Sequence, residues 1–224
     1  AKGMEDMKED LAGAATGLGT LQALAMRKAK VNVAGVMAMV ENIPSAKAQK
    51  PGDIVKSLKG ITVEVINTDA EGRLVLGDAL WYAQERFKAP VLIDLATLTG
   101  AIVVALGTEF AGLFANDEAL EKALVSAANE SGEKLWPMPV DESYDEQIVS
   151  DIADIRNTST VGRDGGACTA AAFLKRFVLP DVKWAHLDIA GVALQQKPTL
   201  MCPKGGSGFG VQLLDRYIRD NLEK

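Results

Sequence analysis

The sequence predicts an α/β fold, with a central mixed, largely parallel β-sheet sandwiched between helices, in a single domain spanning residues 1–224. Two observations lead there. Short apolar or β-branched runs alternate along the chain with longer segments whose apolar residues recur at helical spacing. That alternation is the signature of strands flanked by packed helices, with ligands favoured beyond the carboxyl ends of the strands. In chain order, residues 13–28 carry Ala, Leu and Met on a helical period and close with Arg27, Lys28 and Lys30, cations that suit a helix C-terminus. Residues 31–40 form a nearly continuous apolar run, read as a strand covered on both faces. A loop through Pro44 and Pro51 leads to the β-branched, roughly alternating strand candidate at 61–66. Leu74, Leu76, Ala79, Leu80 and Ala83 then mark a helix over 73–87. Further strands are predicted at 90–95, 110–114 and 184–189, and further helices at 118–131, 166–178 and 208–222. No internal repeat or low-complexity segment interrupts this order.

Bulk properties exclude several function classes. A length of 224 residues suffices for one well-buried core. Residues 91–106, the longest apolar stretch of interest, are interrupted by Asp94, Thr97 and Thr99, so no membrane span is expected. Residues 1–10 are polar and charged, unlike a signal segment. Two cysteines, Cys168 and Cys202, give no disulfide framework and fit a reducing, cytoplasmic location. The net charge of −6 argues against non-specific binding to nucleic acid or a membrane surface.

The chemistry concentrates in Asn67-Thr68-Asp69-Ala70-Glu71-Gly72-Arg73, which joins the 61–66 strand to the 73–87 helix. Were this segment extended, Asp69 and Glu71 would point the same way and could share one or two divalent cations. Arg73 falls in the first helical turn, where unpaired N–H groups and the dipole already favour an anion. The same residues also read as an ordinary capping sequence with Arg73 paired to a carboxylate.

Extended by Leu74, this string resembles the signature of the leucyl aminopeptidase (cytosol aminopeptidase) family. The resemblance continues through Met4 to Ala15, Glu41 to Pro44, Gln49 to Asp53, Asp94 to Ala101, Ala171 to Phe177 and Trp184 to Gly191. It implies a metal-dependent aminopeptidase that releases leucine-like N-terminal residues from peptides, using two divalent ions (Mn, Zn or Mg) and a bicarbonate ion. By the same resemblance, Asp10, Asp69 and Glu71 are metal ligands, and Arg73 is the catalytic arginine holding the bicarbonate. Met7, Thr97, Leu98 (through its backbone), Gly100, Ala190 and Ala193 line the substrate site. A homo-hexamer is implied, with peptide substrates as partners.

The chain departs from the family pattern in two places. Asp10-Leu11-Ala12-Gly13-Ala14 stands where the family has Asp-Met-Gly-Gly-Ala, placing a methyl group beside an expected ligand. The segment carrying the family's metal-binding lysine, a second aspartate ligand and a catalytic lysine has no counterpart in these 224 residues. A non-catalytic homologue or assembly subunit is therefore the alternative reading. Elsewhere, the single histidine, His186, reads as a satisfied core residue, and a serine-type triad has no support. The glycines at 205–210 lack the spacing of a phosphate loop and read as a turn before a helix.

Overall fold

The computed structural model describes residues 4–200 and 202–223. In chain order, a 3-10 turn at Met4–Leu11 runs into α1 (Ala12–Met26), then β1 (Ile54–Lys56), β2 (Thr62–Glu64), α2 (Gly72–Phe87), β3 (Val91–Ala96), α3 (Gly100–Leu106) and β4 (Ala111–Ala115). There follow α4 (Glu118–Ser131), β5 (Leu135–Pro137), α5 (Glu142–Asp145), β6 (Ile155–Arg156), α6 (Gly166–Lys175), β7 (Lys183–Asp188), β8 (Leu194–Gln195), β9 (Gly205–Gly206) and α7 (Val211–Asn221). This is the α/β alternation expected from the sequence, with mixed sheets. The described residues group into two compact units.

The first unit comprises the described residues up to Met37, Ile93–Met138, and those from Lys183 onward. Its four-stranded sheet has the order β3-β7-β4-β5. Strand β4 pairs antiparallel with β7, from Gly112 opposite Asp188 to Ala115 opposite Ala185, and parallel with β5, from Ala111 opposite Leu135. Both faces of the central strands are covered: Leu113, Phe114, Trp184 and Leu187 are fully buried. Helix α4 starts where Asp117 accepts the Leu120 N–H at 2.8 Å and stops at Gly132, whose φ of 77° only glycine adopts readily. Glu133 then caps α7, accepting the N–H groups of Gly210 and Leu213 at 2.8 Å each. Arg27, just past α1, pairs with Asp215 of α7 at 2.5 Å and with Glu223.

The second unit comprises Ala38–Leu92 and Pro139–Val182. Here β2 lies between β1, antiparallel, and β6, parallel, with Val63 wholly buried at the centre. Helix α2 approaches the end of α6 closely: a Cβ on Gly77 would stand 2.9 Å from the Phe177 ring. Gln84, itself buried, donates to the carbonyls of Leu80 and Phe177 and accepts the Leu179 N–H at 2.7 Å.

Two local expectations are corrected. Residues 31–40 form no strand; no described strand pairs with them and most are exposed, so their continuous hydrophobicity does not report two covered faces. The last helix starts at Val211 rather than 208, because Gly208 and Gly210 take φ of 67° and 97°. Apolar residues after β3 fold into the short α3, started by Thr99, whose hydroxyl accepts the Ile102 N–H.

Candidate functional site

In the second unit, the strand β2 leads into the charged septet. Residues 68–69 form a turn, with Ala70 N–H donating to the Asn67 carbonyl and Asp69 N–H to the Asn67 side chain at 3.0 Å. The extended geometry expected for Asp69 to Glu71 is thus replaced by an Asx turn, and Glu71 sits at the N-cap of α2 with α-helical angles. The two carboxylates share a tight bend, not one face of a strand. Asp69 is exposed and Glu71 half-buried, and neither side chain accepts a hydrogen bond or forms an ion pair among the described residues. Arg73 follows in the first turn of α2 and is buried at 9% exposure. Its Nη1 donates to the Asn157 carbonyl at 2.8 Å.

Asn157, which sequence reasoning missed, organises this bend. It follows β6, has 0% exposure, and ties its own N–H to the Glu64 carbonyl. Its side-chain oxygen accepts the N–H groups of Ile66 (2.8 Å) and Asn67 (3.3 Å). Its side-chain amide donates to the carbonyls of Asn67 (2.7 Å) and Ala70 (3.3 Å). The Asn-Thr-Ser-Thr run at 157–160 signals only a polar loop, and the partners lie some ninety positions away.

In the first unit, Asp10 is exposed, and its carboxylate accepts the Thr97 hydroxyl at 2.7 Å. Two residues predicted for different roles, ligand and substrate contact, are thus joined. Asp188, at the end of β7, gathers others: one carboxylate oxygen accepts the N–H groups of Leu98 (3.1 Å), Thr99 (3.4 Å) and Ala190 (3.3 Å), and the other accepts the Thr99 hydroxyl at 2.6 Å. Burial pushes the Asp188 carboxyl above its usual range, and His186 and these donors partly offset the push. Met7 and Gly100 are exposed, whereas Ala193 is buried and lines a cavity of about 100 Å³ with Ala12, Ala15, Ile189 and Phe209. Asp94 accepts the Trp184 indole N–H at 2.7 Å and lies 2.6 Å from Nδ1 of His186, which is buried in the core as the sequence predicts.

The departure at Ala12 is explained by the same geometry. The position that tolerates no side chain is Gly13, where a Cβ would lie 2.1 Å from the Leu95 carbonyl oxygen, and that glycine is retained. Ala12 faces the cavity, which accommodates its methyl.

By donor type, Asp69 and Glu71 fit hard or borderline divalent cations: two carboxylates held on one bend with their oxygens uncommitted. Among the described residues they are not joined by a third His, Cys, Asp or Glu in a metal-holding group.

The α/β fold and its match to solved relatives define a peptidase catalytic domain. The chain belongs to the cytosol aminopeptidase family, matching the model of the family's catalytic domain over residues 1–215. It is 58% identical over 224 residues to a probable cytosol aminopeptidase of Cereibacter sphaeroides, covering 100% of this chain and 45% of that protein. One of Ehrlichia ruminantium is 57% identical over the same length and share. A solved tomato leucine aminopeptidase mutant has a TM-score of 0.86 and 44% identity, across 96% of this chain and 41% of that one. The chain thus spans less than half the length of these relatives.

Proposed function

We propose that this chain supplies the catalytic portion of a metal-dependent aminopeptidase that hydrolyses leucine-like N-terminal residues from peptides. The observation that carries the reading is the pair of carboxylates, Asp69 and Glu71, uncommitted among the described residues, on the bend that leads to the buried Arg73. Asp69 and Glu71 would hold divalent metal (Mn, Zn or Mg), and Asp10 is assigned as a further metal ligand on the strength of the family match. When bound, the ions would supply Lewis acidity toward the scissile carbonyl and acidify a water at neutral pH. Arg73 is assigned to hold bicarbonate as general base. Its helix-start position and its anchoring on the Asn157 carbonyl suit it to holding an anion in one orientation.

The first unit's residues are assigned to the substrate. Thr97 steadies the Asp10 carboxylate by its hydroxyl. Asp188 takes up the N–H groups of Leu98 and Ala190, so the peptide-facing group of Leu98 is its carbonyl. Met7, Gly100, Ala190 and Ala193 supply small or apolar surface for the side chain of the leaving residue. A cytoplasmic homo-hexamer follows from the same reading.

The test uses the native protein. Two equivalents of bound divalent metal together with hydrolysis of leucine anilides are expected, and Glu71→Ala should abolish hydrolysis while unfolding remains cooperative. Full hydrolysis by Glu71→Ala would remove that residue from the mechanism, and metal-free protein without turnover would leave a structural subunit.

A further inference from the structure

The buried amide of Asn157 does more than fill a loop, and we propose that it is the positioning residue of the cation- and anion-holding bend, a role that rests on the peptidase reading above. Four backbone groups of residues 66–70 converge on its side chain, two N–H groups on the oxygen and two carbonyls on the nitrogen. An amide is the only neutral side-chain group that offers paired acceptor and donor sites in this way. The bonded groups bracket Asp69 on both sides, so the course of the backbone on which Asp69 and Glu71 stand is fixed from one point. The main-chain carbonyl of the same residue receives Arg73 Nη1. Register between the two carboxylates and the guanidinium is therefore set by a residue that touches neither metal nor substrate. Asn157 and Ala70 are both buried, so displacing the amide would leave the Ala70 carbonyl without water to replace it.

Asn157→Asp tests the role with little change of shape. A carboxylate keeps the acceptor for Ile66 and Asn67 and sets a second oxygen against the carbonyls of Asn67 and Ala70. Asn157→Ser, which shortens the side chain and keeps the main-chain carbonyl, serves as second variant if the charged one does not fold. The matched control is Thr62→Val, which removes the hydroxyl bonds to Asp154 on the same strand without touching the bend. Mn²⁺ alone is titrated calorimetrically into each native protein, hydrogen exchange is followed at residues 66–70 without metal, and kcat and KM are measured on a leucine anilide. The expected result is Mn²⁺ affinity reduced by about tenfold or more in the Asn157 variants, the range seen when groups that orient metal ligands are removed. Faster exchange at Ile66 and Asn67 and a loss in kcat larger than the change in KM should accompany it, with Thr62→Val unchanged in affinity.

Wild-type affinity in a folded Asn157 variant would overturn the role while leaving the peptidase reading intact. Equal weakening by Thr62→Val would overturn it too, since general destabilisation would then be the cause. Wild-type protein that binds no Mn²⁺ would overturn the peptidase reading and this role together.

Discussion

Gly13 lies so near Leu95 that a β-carbon on the glycine would stand 2.1 Å from the Leu95 carbonyl oxygen. Backbone atoms cannot yield as a flexible side chain would, so α1 reaches β3 only through a residue without a side chain. Gly13→Ala is expected to destabilise the protein by about 3 kcal/mol, at the upper end for overpacking. Chemical denaturation measures it, and a loss below about 0.5 kcal/mol would show that the helix can slide without cost.

Asp188 gives a pH signature. Its folded-state affinity for a proton is raised above the usual 3.8 by burial. A carboxyl protonated more easily when folded contributes its stability in acid, below its unfolded value, and that contribution is lost as pH rises through the folded value. Asp188→Asn keeps an oxygen for the N–H groups of Leu98, Thr99 and Ala190 and removes the titration. The stability of wild type relative to Asp188→Asn should therefore fall as pH climbs from about 4 toward neutrality. A difference independent of pH would show that Asp188 is as readily ionised folded as unfolded.

Arg73→Lys keeps the charge but loses the planar fork that can bond the Asn157 carbonyl and an anion at once. On the proposed function, kcat for a leucine anilide should drop about 100-fold with little change in KM, by analogy with removal of one oriented donor. Unaltered kcat would release Arg73 from the chemistry and leave it a structural anchor.

Gln84→Leu is nearly isosteric and leaves the buried Phe177 carbonyl and Leu179 N–H without their partner. The expected cost is about 2 kcal/mol, from unsatisfied polar groups and not from lost volume. Thermal unfolding with calorimetry checks it; a neutral outcome would mean that water reaches the end of α6.

What the sequence revealed and what it hid follow one physical distinction. Helix α4 reads correctly from end to end because Asp117, a helical apolar period and Gly132 are all local signals. Strand β4 is found because both faces are covered and every residue is apolar; β7 is found from Trp184, Ala185 and Leu187, although it also carries His186 and Asp188. The run 31–40 carries the same pattern without a paired strand, which hydrophobicity alone cannot distinguish. At the candidate site, the charged septet is legible as a string, yet its turn geometry is not: it is set by Asn157, distant in sequence and invisible to any local window. Asp188, a strand-end acid, reads from the sequence as a loop anchor and is one, but its partners Leu98 and Thr99 lie some ninety positions away and emerge only in the fold.

The unladdered stretch at 31–40 has a colloidal consequence. Val33, Val36, Met37, Met39 and Val40 are all more than a third exposed, on backbone whose hydrogen-bonding edge no described strand covers. Such a ribbon is a template for stacking one molecule on the next. Lys28 and Lys30 at one end and Glu41 at the other set like charges together in a parallel, in-register stack, so neutralising those three side chains should lower the solubility of this chain.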